Sequence, residues 1–292
     1  MRYIVMPVLF SGFALTSVVA QNGFCVMEWN VENLFDPVDN PMKEDDDFLP
    51  SAARRWTWRK FTHKLENVGK TIAAAGGITA PDIVALCEVE NDTVLEKLTK
   101  GSVLRRVGYR YVMTRSADKR GINVALLYKP LSFKPVSTEV IRPDFAGLPR
   151  KFTRDVLLVS GRIVTGDFND SPESSALRRC LGAEPPGGNG SESADNSLVN
   201  LMYGYRGNQA AKGTYCYKGK WELIDNVIVS GRLMRKSSSF HLDDDGCRIF
   251  DASFLLTDNG GEKIPFRTYN GMHYLGGFSD HLPLVAHFGF SW

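Results

Sequence analysis

The sequence predicts a layered α/β protein. Apolar runs at 24–30, 82–89, 123–128, 223–230 and 282–290 read as buried strands, one segment repeats apolar residues at helical steps, and frequent Gly and Pro mark many turns. With 292 residues, 43% of them hydrophobic, the chain can bury a sizeable core as one domain. No internal repeat and no linker divides it.

The elements follow in order. Met1, Arg2 and Tyr3 make a short basic start, an apolar stretch fills 4–19, and Ala20 precedes Gln21. This pattern predicts a secretory signal peptide over 1–20, a domain over 21–292, and export to the periplasm, cell surface or medium. Pro7 and Gly12 break the apolar run, so no stable membrane span is expected after its removal. The run at 24–30 opens the core, and the acidic segment 36–51 reads as a loop. Trp58, Phe61, Leu65, Val68 and Ile72 mark one face of an amphipathic helix that Gly76 and Gly77 end. A buried strand is expected at 82–89, then strands at 109–114, 123–128 and 133–141. Segments 156–159 and 162–165 are expected to pair tightly around Ser160 and Gly161, with a short helix after Pro172. The Gly-, Pro- and Ser-rich stretch 184–197 reads as a surface loop, and 223–230 and 282–290 as the last strands.

Bulk properties exclude little. The net charge of +2 falls to about +1 once Arg2 leaves with the leader, so it announces no nucleic-acid binder, although a local basic patch needs no net charge. Five cysteines, none in a CxxC motif, argue against a zinc site. Cys25 and Cys87 read as small packed hydrophobes, and one disulfide among Cys180, Cys216 and Cys247 stays open. The acidic run 44–47 lacks EF-hand spacing and reads as a solvated loop.

Five polar signals sit at the ends of apolar runs: Trp29-Asn30-Val31-Glu32, Cys87-Glu88-Val89, Gly166-Asp167-Phe168-Asn169-Asp170, Ile224-Asp225-Asn226 and Ser279-Asp280-His281. Loops at strand ends, held by a rigid sheet, are where sites are built. Each signal alone reads equally well as a turn or cap residue. Glu88 directly follows an apolar run, and a carboxylate at that depth needs a partner or a metal. Arg154 precedes another apolar run and reads either as a phosphate contact or as half of a surface pair with Asp155.

Taken together and in this order, these residues resemble the endonuclease/exonuclease/phosphatase family. The strings Asn30-Val31-Glu32-Asn33-Leu34-Phe35-Asp36, Gly166 to Asp170 and Phe278 to Pro283 are similar to secreted bacterial members. The resemblance implies a four-layer sandwich of two mainly antiparallel sheets with helices outside. It implies Mg²⁺ or Mn²⁺, bound by Glu88 with Asn30, Glu32 and Asp280. It assigns catalysis to Asp167, Asn169, Asp225 and His281, and substrate-phosphate contact to Arg154, Asn169 and His281. The implied activity is that of a monomeric phosphodiesterase acting on nucleic acid. Alternatives are hydrolysis of a phospholipid head group or phosphomonoester, and a degenerate protein that only binds.

The chain departs from the family in one place. A strand bearing a His, followed by a helix, normally precedes the Asp-x-Asn motif and takes roughly 30 or more residues. Here only 156–166 separates Asp155 from Asp167, and the five histidines (His63, His241, His273, His281 and His287) all lie elsewhere. A missing strand–helix unit is therefore expected, with bare strand edges in its place.

Overall fold

The first apolar run becomes the spine of the fold. In the computed structural model, which describes residues 23–141, 156–159, 163–187, 197–205 and 211–291, β1 spans Gly23–Leu34. The expected signal peptide and Arg154 lie outside the described residues. β1 pairs in parallel with β2 (Ile83–Val89) and antiparallel with β18 (Leu284–Phe290). β4 (Asn123–Tyr128) and β3 (Arg110–Met113) extend the sheet on one side and β13 (Phe240–Ile249) on the other, giving the order β13-β18-β1-β2-β4-β3.

A second sheet has the order β7-β12-β9-β8, built from β7 (Ile163–Asp167), β12 (Asp225–Ser230), β9 (Leu198–Asn200) and β8 (Ala183–Glu184). Four two-stranded pairs decorate this frame: β5 (Thr138–Ile141) with β6 (Val156–Val159), β10 (Tyr215–Tyr217) with β11 (Lys220–Glu222), β14 (Leu256–Asn259) with β15 (Glu262–Pro265), and β16 (Tyr269–Asn270) with β17 (His273–Tyr274).

Burial follows the strand period of two. Val227 and Val229 of β12 join Met27, Trp29, Leu86 and Phe288 of the first sheet in one core. Ile228 points the other way, to Leu177 and Ala183. Leu177 belongs to a single helical turn, Ala176–Cys180, which matches the short helix expected after Pro172. On the far side of the first sheet lies α1 (Trp58–Ala75), with Phe61, Leu65, Val68 and Ile72 buried. A brief α2 (Asp92–Glu96) follows β2, its first turn capped by Asn91, whose side chain accepts from the Val94 N–H. The layers run helix, sheet, sheet and a thin helical layer, as the sequence predicts.

Several expectations are corrected. Trp58 is 49% exposed, whereas Lys64, further along the same helix, is 1% exposed. The segments 156–159 and 162–165 do not form a hairpin: β6 pairs with β5 (Ile141 opposite Val156), and β7 pairs with β12 (Asp167 opposite Asp225). Hydrophobic pattern identifies strands but leaves partners open when every run is apolar. All five thiols are free, with Cys25 and Cys87 buried as expected. Among the described residues no helix is long and apolar enough to cross a membrane.

One close crossing fixes the loop ahead of β18. A Cβ on Gly277 would lie 2.1 Å from the Phe266 carbonyl oxygen, and Phe278 N donates to that same oxygen. Gly277→Ala is expected to cost about 1–3 kcal/mol of stability through overpacking. Thermal unfolding at the wild-type midpoint would show that the crossing imposes no such constraint.

Candidate active site

Strand direction brings the five polar signals to one end of the sandwich. β1 and β2 run parallel, so Asn30 and Glu88 lie at the same end. β18 runs antiparallel to β1, with Glu28 opposite Leu284, which puts Ser279, Asp280 and His281 at that end too. In the second sheet, Asp167 at the end of β7 faces Asp225 at the start of β12. The sheets are tied here by a hydrogen bond of 3.1 Å from Asn30 Nδ2 to Asp167 Oδ2. Asn30 Oδ1 in turn accepts from the Glu32 N–H at 3.0 Å, and Asp167 Oδ1 from the Asn169 N–H at 2.9 Å.

His281 and Asp225 form a buried ion pair, Nδ1 to Oδ2 at 2.9 Å, with side chains 6% and 0% exposed. Burial alone would lower the His281 pKa. Asp225, by charge and hydrogen bond, and then Asp280 and Asp167 outweigh burial and raise it to about 10. The imidazole is therefore charged at neutral pH. Its backbone is held to β1: Trp29 Nε1 donates to the His281 carbonyl at 3.0 Å, Ser279 Oγ donates to the Asn30 carbonyl at 2.7 Å, and the His281 N–H returns to Ser279 Oγ at 3.1 Å. The Tyr215 ring packs 4.8 Å from the imidazole.

Beside this pair lies an acidic pocket. Glu88 Oε2 accepts from the Asn33 N–H at 2.9 Å. Asp280 Oδ2 accepts from Arg267 Nη2 at 2.9 Å. The Asp280 carboxyl is raised by burial, with Glu88 pushing the same way and His281 and Arg267 opposing. Glu32 accepts from the Thr268 N–H at 2.7 Å and lies 4.0 Å from Lys64 Nζ and 3.6 Å from Arg267 Nε. Glu32, expected in a metal shell, lies at the edge of this pocket between two cations and an amide. Burial lowers Lys64 to about 8 even though Glu32, Asp280 and Glu88 act against it. Its ammonium donates to Thr268 Oγ1 and to the Phe278 carbonyl.

Glu28 sits under the site with both carboxyl oxygens buried and without a hydrogen-bond partner. Burial first, then Asp225 and Asp167, push its pKa well up. Backbone strain marks the same region. Glu32, Asn33, Glu88 and Asn169 all take left-handed φ values, between 50° and 67°. Such conformations in non-glycine residues cluster where function over-determines the backbone.

The structure thus brings together Asn30, Glu32, Glu88, Asp167, Asn169, Asp225, Asp280 and His281. Sequence reasoning missed Glu28, Lys64, Tyr215 and Arg267. Glu28 carried a readable signal, since it lies inside the apolar run 24–30, whereas Lys64 is polar and reads as solvent-facing despite its place on the helical stripe. Arg267 lies in an unpatterned loop and carried none.

The ion pair gives a pH test. The folded pKa of His281 lies above the ordinary value of about 6.5, so the stability it contributes is fully present below that pH. It is lost as pH rises through about 10. In Asp225→Asn the His281 titration, followed by NMR, is expected to fall by at least two units, with about 3–5 kcal/mol of stability lost. An unshifted titration would show that Asp225 does not hold the proton there.

Comparison with known proteins bears on this geometry. The family described as Endonuclease/Exonuclease/phosphatase family matches residues 25–165 and 162–289. The two matched segments overlap at residues 162–165, directly ahead of Asp167. A solved endonuclease/exonuclease/phosphatase family protein from Bacteroides thetaiotaomicron is similar in fold, with TM-score 0.52 and 14% identity over 92% of this chain and 98% of that one. Weaker likenesses extend to the human Nocturnin catalytic domain (TM-score 0.46, 16% identity, 92% and 94% covered) and an AP endonuclease from Archaeoglobus fulgidus (0.43, 15%, 92% and 100%). No match was found among curated protein sequences. With nearly the whole described chain matched and the motif residues gathered at one end of the sandwich, the chain belongs to the endonuclease/exonuclease/phosphatase family.

Proposed function

We propose that this protein is an exported, divalent-metal-dependent phosphodiesterase that acts on nucleic acid. The observation that carries the reading is the arrangement of Asp167, Asp225 and His281, whose ligand atoms lie within 4.8 Å of one another beside the acidic pocket of Glu88 and Asp280. A base and a cationic donor thus flank one small volume.

The same three residues are close enough to hold a cation themselves. We assign them to proton and phosphate handling, because His281 Nδ1 is already bound to Asp225 and the ring is charged. The acidic pocket fits a hard cation better. Glu88 and Asp280 repel each other there, and carboxylate and amide oxygens suit Mg²⁺ or Mn²⁺. Glu88, Asp280 and Asn30 Oδ1 would hold the ion, with Glu32 bracing from behind. When bound, it supplies charge relief on the phosphoryl oxygens.

The remaining work falls to the chain. Asp167 orients a water and accepts its proton, its two oxygens fixed by Asn30 and Asn169. The charged His281 donates to a phosphoryl oxygen, with Asp225 holding the tautomer. Asn169, exposed at the rim, adds a neutral donor. An aromatic wall supports the nucleic-acid reading. Tyr215 leans on His281, Tyr217 lies parallel to it at 6.5 Å and is 49% exposed, and Lys218 Nζ stands 5.2 Å from the Tyr217 ring. Bases stack on such a surface, and the adjacent cation suits a neighbouring phosphate.

The missing histidine unit favours a second reading, a degenerate protein that binds without turnover. Loss of a proton-transferring His costs on the order of 10²–10⁴ in rate. The two readings part in an activity screen against DNA, RNA, sphingomyelin and inositol phosphates, with and without chelator. Chelator-sensitive cleavage of nucleic acid is expected; cleavage of sphingomyelin alone would reject the substrate, and no cleavage at all would reject the enzyme. Separately, Glu88→Gln should weaken Mg²⁺ binding at least tenfold by calorimetry, and an unchanged titration would remove Glu88 from the metal shell.

A further inference from the structure

We propose that Arg267 binds a non-bridging oxygen of the substrate phosphate through its guanidinium fork, supplying the cation that the missing histidine unit leaves out. This rests on the phosphoester reading above and names a residue for it. Three observations carry it. Arg267 is placed at the reacting end of the site, 2.9 Å from Asp280, the residue before His281, and close enough to act electrostatically on Tyr215, whose ring covers His281. Its side chain keeps 28% of its surface open to solvent, whereas Lys64, the other cation of the acidic pocket, is sealed at 1%. A guanidinium carries five N–H groups, and among the described residues the Arg267 side chain makes one hydrogen bond, to Asp280.

Nε is left without a hydrogen bond even though Glu32 Oε1 stands 3.6 Å away. Nε itself is sealed from solvent against Glu32, so the part of the guanidinium that stays open is its outer edge, and that edge is what an anion arriving from solution would meet. Asp280 and Glu32 hold the group by two sides without satisfying it. The fork is therefore oriented before any substrate arrives, which spares the ordering entropy of a free surface arginine.

The alternative is that Arg267 only braces Asp280 and Glu32. Calorimetry on the full chain separates the two, titrating inorganic phosphate and thymidine 5′-monophosphate into wild type, Arg267→Gln and Arg267→Lys, with Mg²⁺ affinity measured in parallel. Arg267→Gln is expected to weaken both anions by about 10–100-fold, the range of a charge-assisted hydrogen bond, and to leave Mg²⁺ binding intact or tighter because a positive charge beside Asp280 is gone. Arg267→Lys is expected to lose at least threefold, since a point charge cannot reproduce the fork.

The proposal is overturned if wild type binds neither anion, if Arg267→Gln binds them as wild type does, or if anion and Mg²⁺ affinities fall together, which is the signature of a brace. Should Arg267→Gln not fold, Arg267→Lys at wild-type affinity overturns it equally. Failure of the enzyme reading looks different: phosphate held through Arg267 with no turnover of any phosphodiester.

Discussion

The constraint on which the site depends is an excess of buried acid. Glu28, Glu32, Glu88 and Asp225 are buried at one end of the sandwich, with Asp167 and Asp280 half-buried among them. Among the described residues, Lys64, Arg267 and His281 are cations that face them. Burying carboxylates in this ratio is costly, and the structure meets the cost in three ways. Burial pushes the Glu28 carboxyl well up, towards its neutral form, His281 takes a proton, and Lys64 is enclosed completely. Glu88 and Asp280 meet in one pocket, where each raises the cost of the other's charge.

Backbone geometry serves the same end. β7 delivers Asp167 at its last residue, β12 delivers Asp225 at its first, and β1 and β2 carry Asn30 and Glu88 towards their C-terminal ends. The left-handed residues Glu32, Asn33, Glu88 and Asn169 bend the chain there. In each case a nearby hydrogen bond fixes the bend: the Glu32 N–H to Asn30, the Asn33 N–H to Glu88, and the Asn169 N–H to Asp167. The donors of the strained turns are thus spent on the site's own side chains. Local strain of about 1–3 kcal/mol per residue is offset by orientation of the reactive groups.

Most of this was legible in the sequence, for a physical reason. Strands buried on both faces read as continuous apolar runs, and a polar residue that ends such a run must be satisfied by something. That logic located β1, β2, β4, β12 and β18 and, with the family resemblance, the residues gathered at their ends. It failed where hydropathy is a poor guide to burial. Lys64 sits three positions after Phe61, on the apolar stripe of α1, yet reads as solvent-facing because lysine is polar. Trp58 reads as core and is half-exposed. Partner choice was equally hidden: β6 and β7 are apolar neighbours in sequence, but their pairing is decided by strands more than 15 residues away, Thr138–Ile141 and Asp225–Ser230.

That pairing also shows what the shortened interval before Asp167 does. β7 carries Asp167 and is the edge of its sheet, joined only to β12 among the described strands, while β6 belongs to a separate pair with β5. A strand that would bridge β6 and β7 has no residues left to form it. An edge strand loses half of its ladder, so its position must be fixed by other means. Here β12 aligns Asp167 opposite Asp225, and the Asn30 amide pins its carboxylate to the first sheet. The inter-sheet hydrogen bond therefore does work that a second ladder neighbour would do, and it keeps the Asp167 carboxylate beside the Asp225–His281 pair.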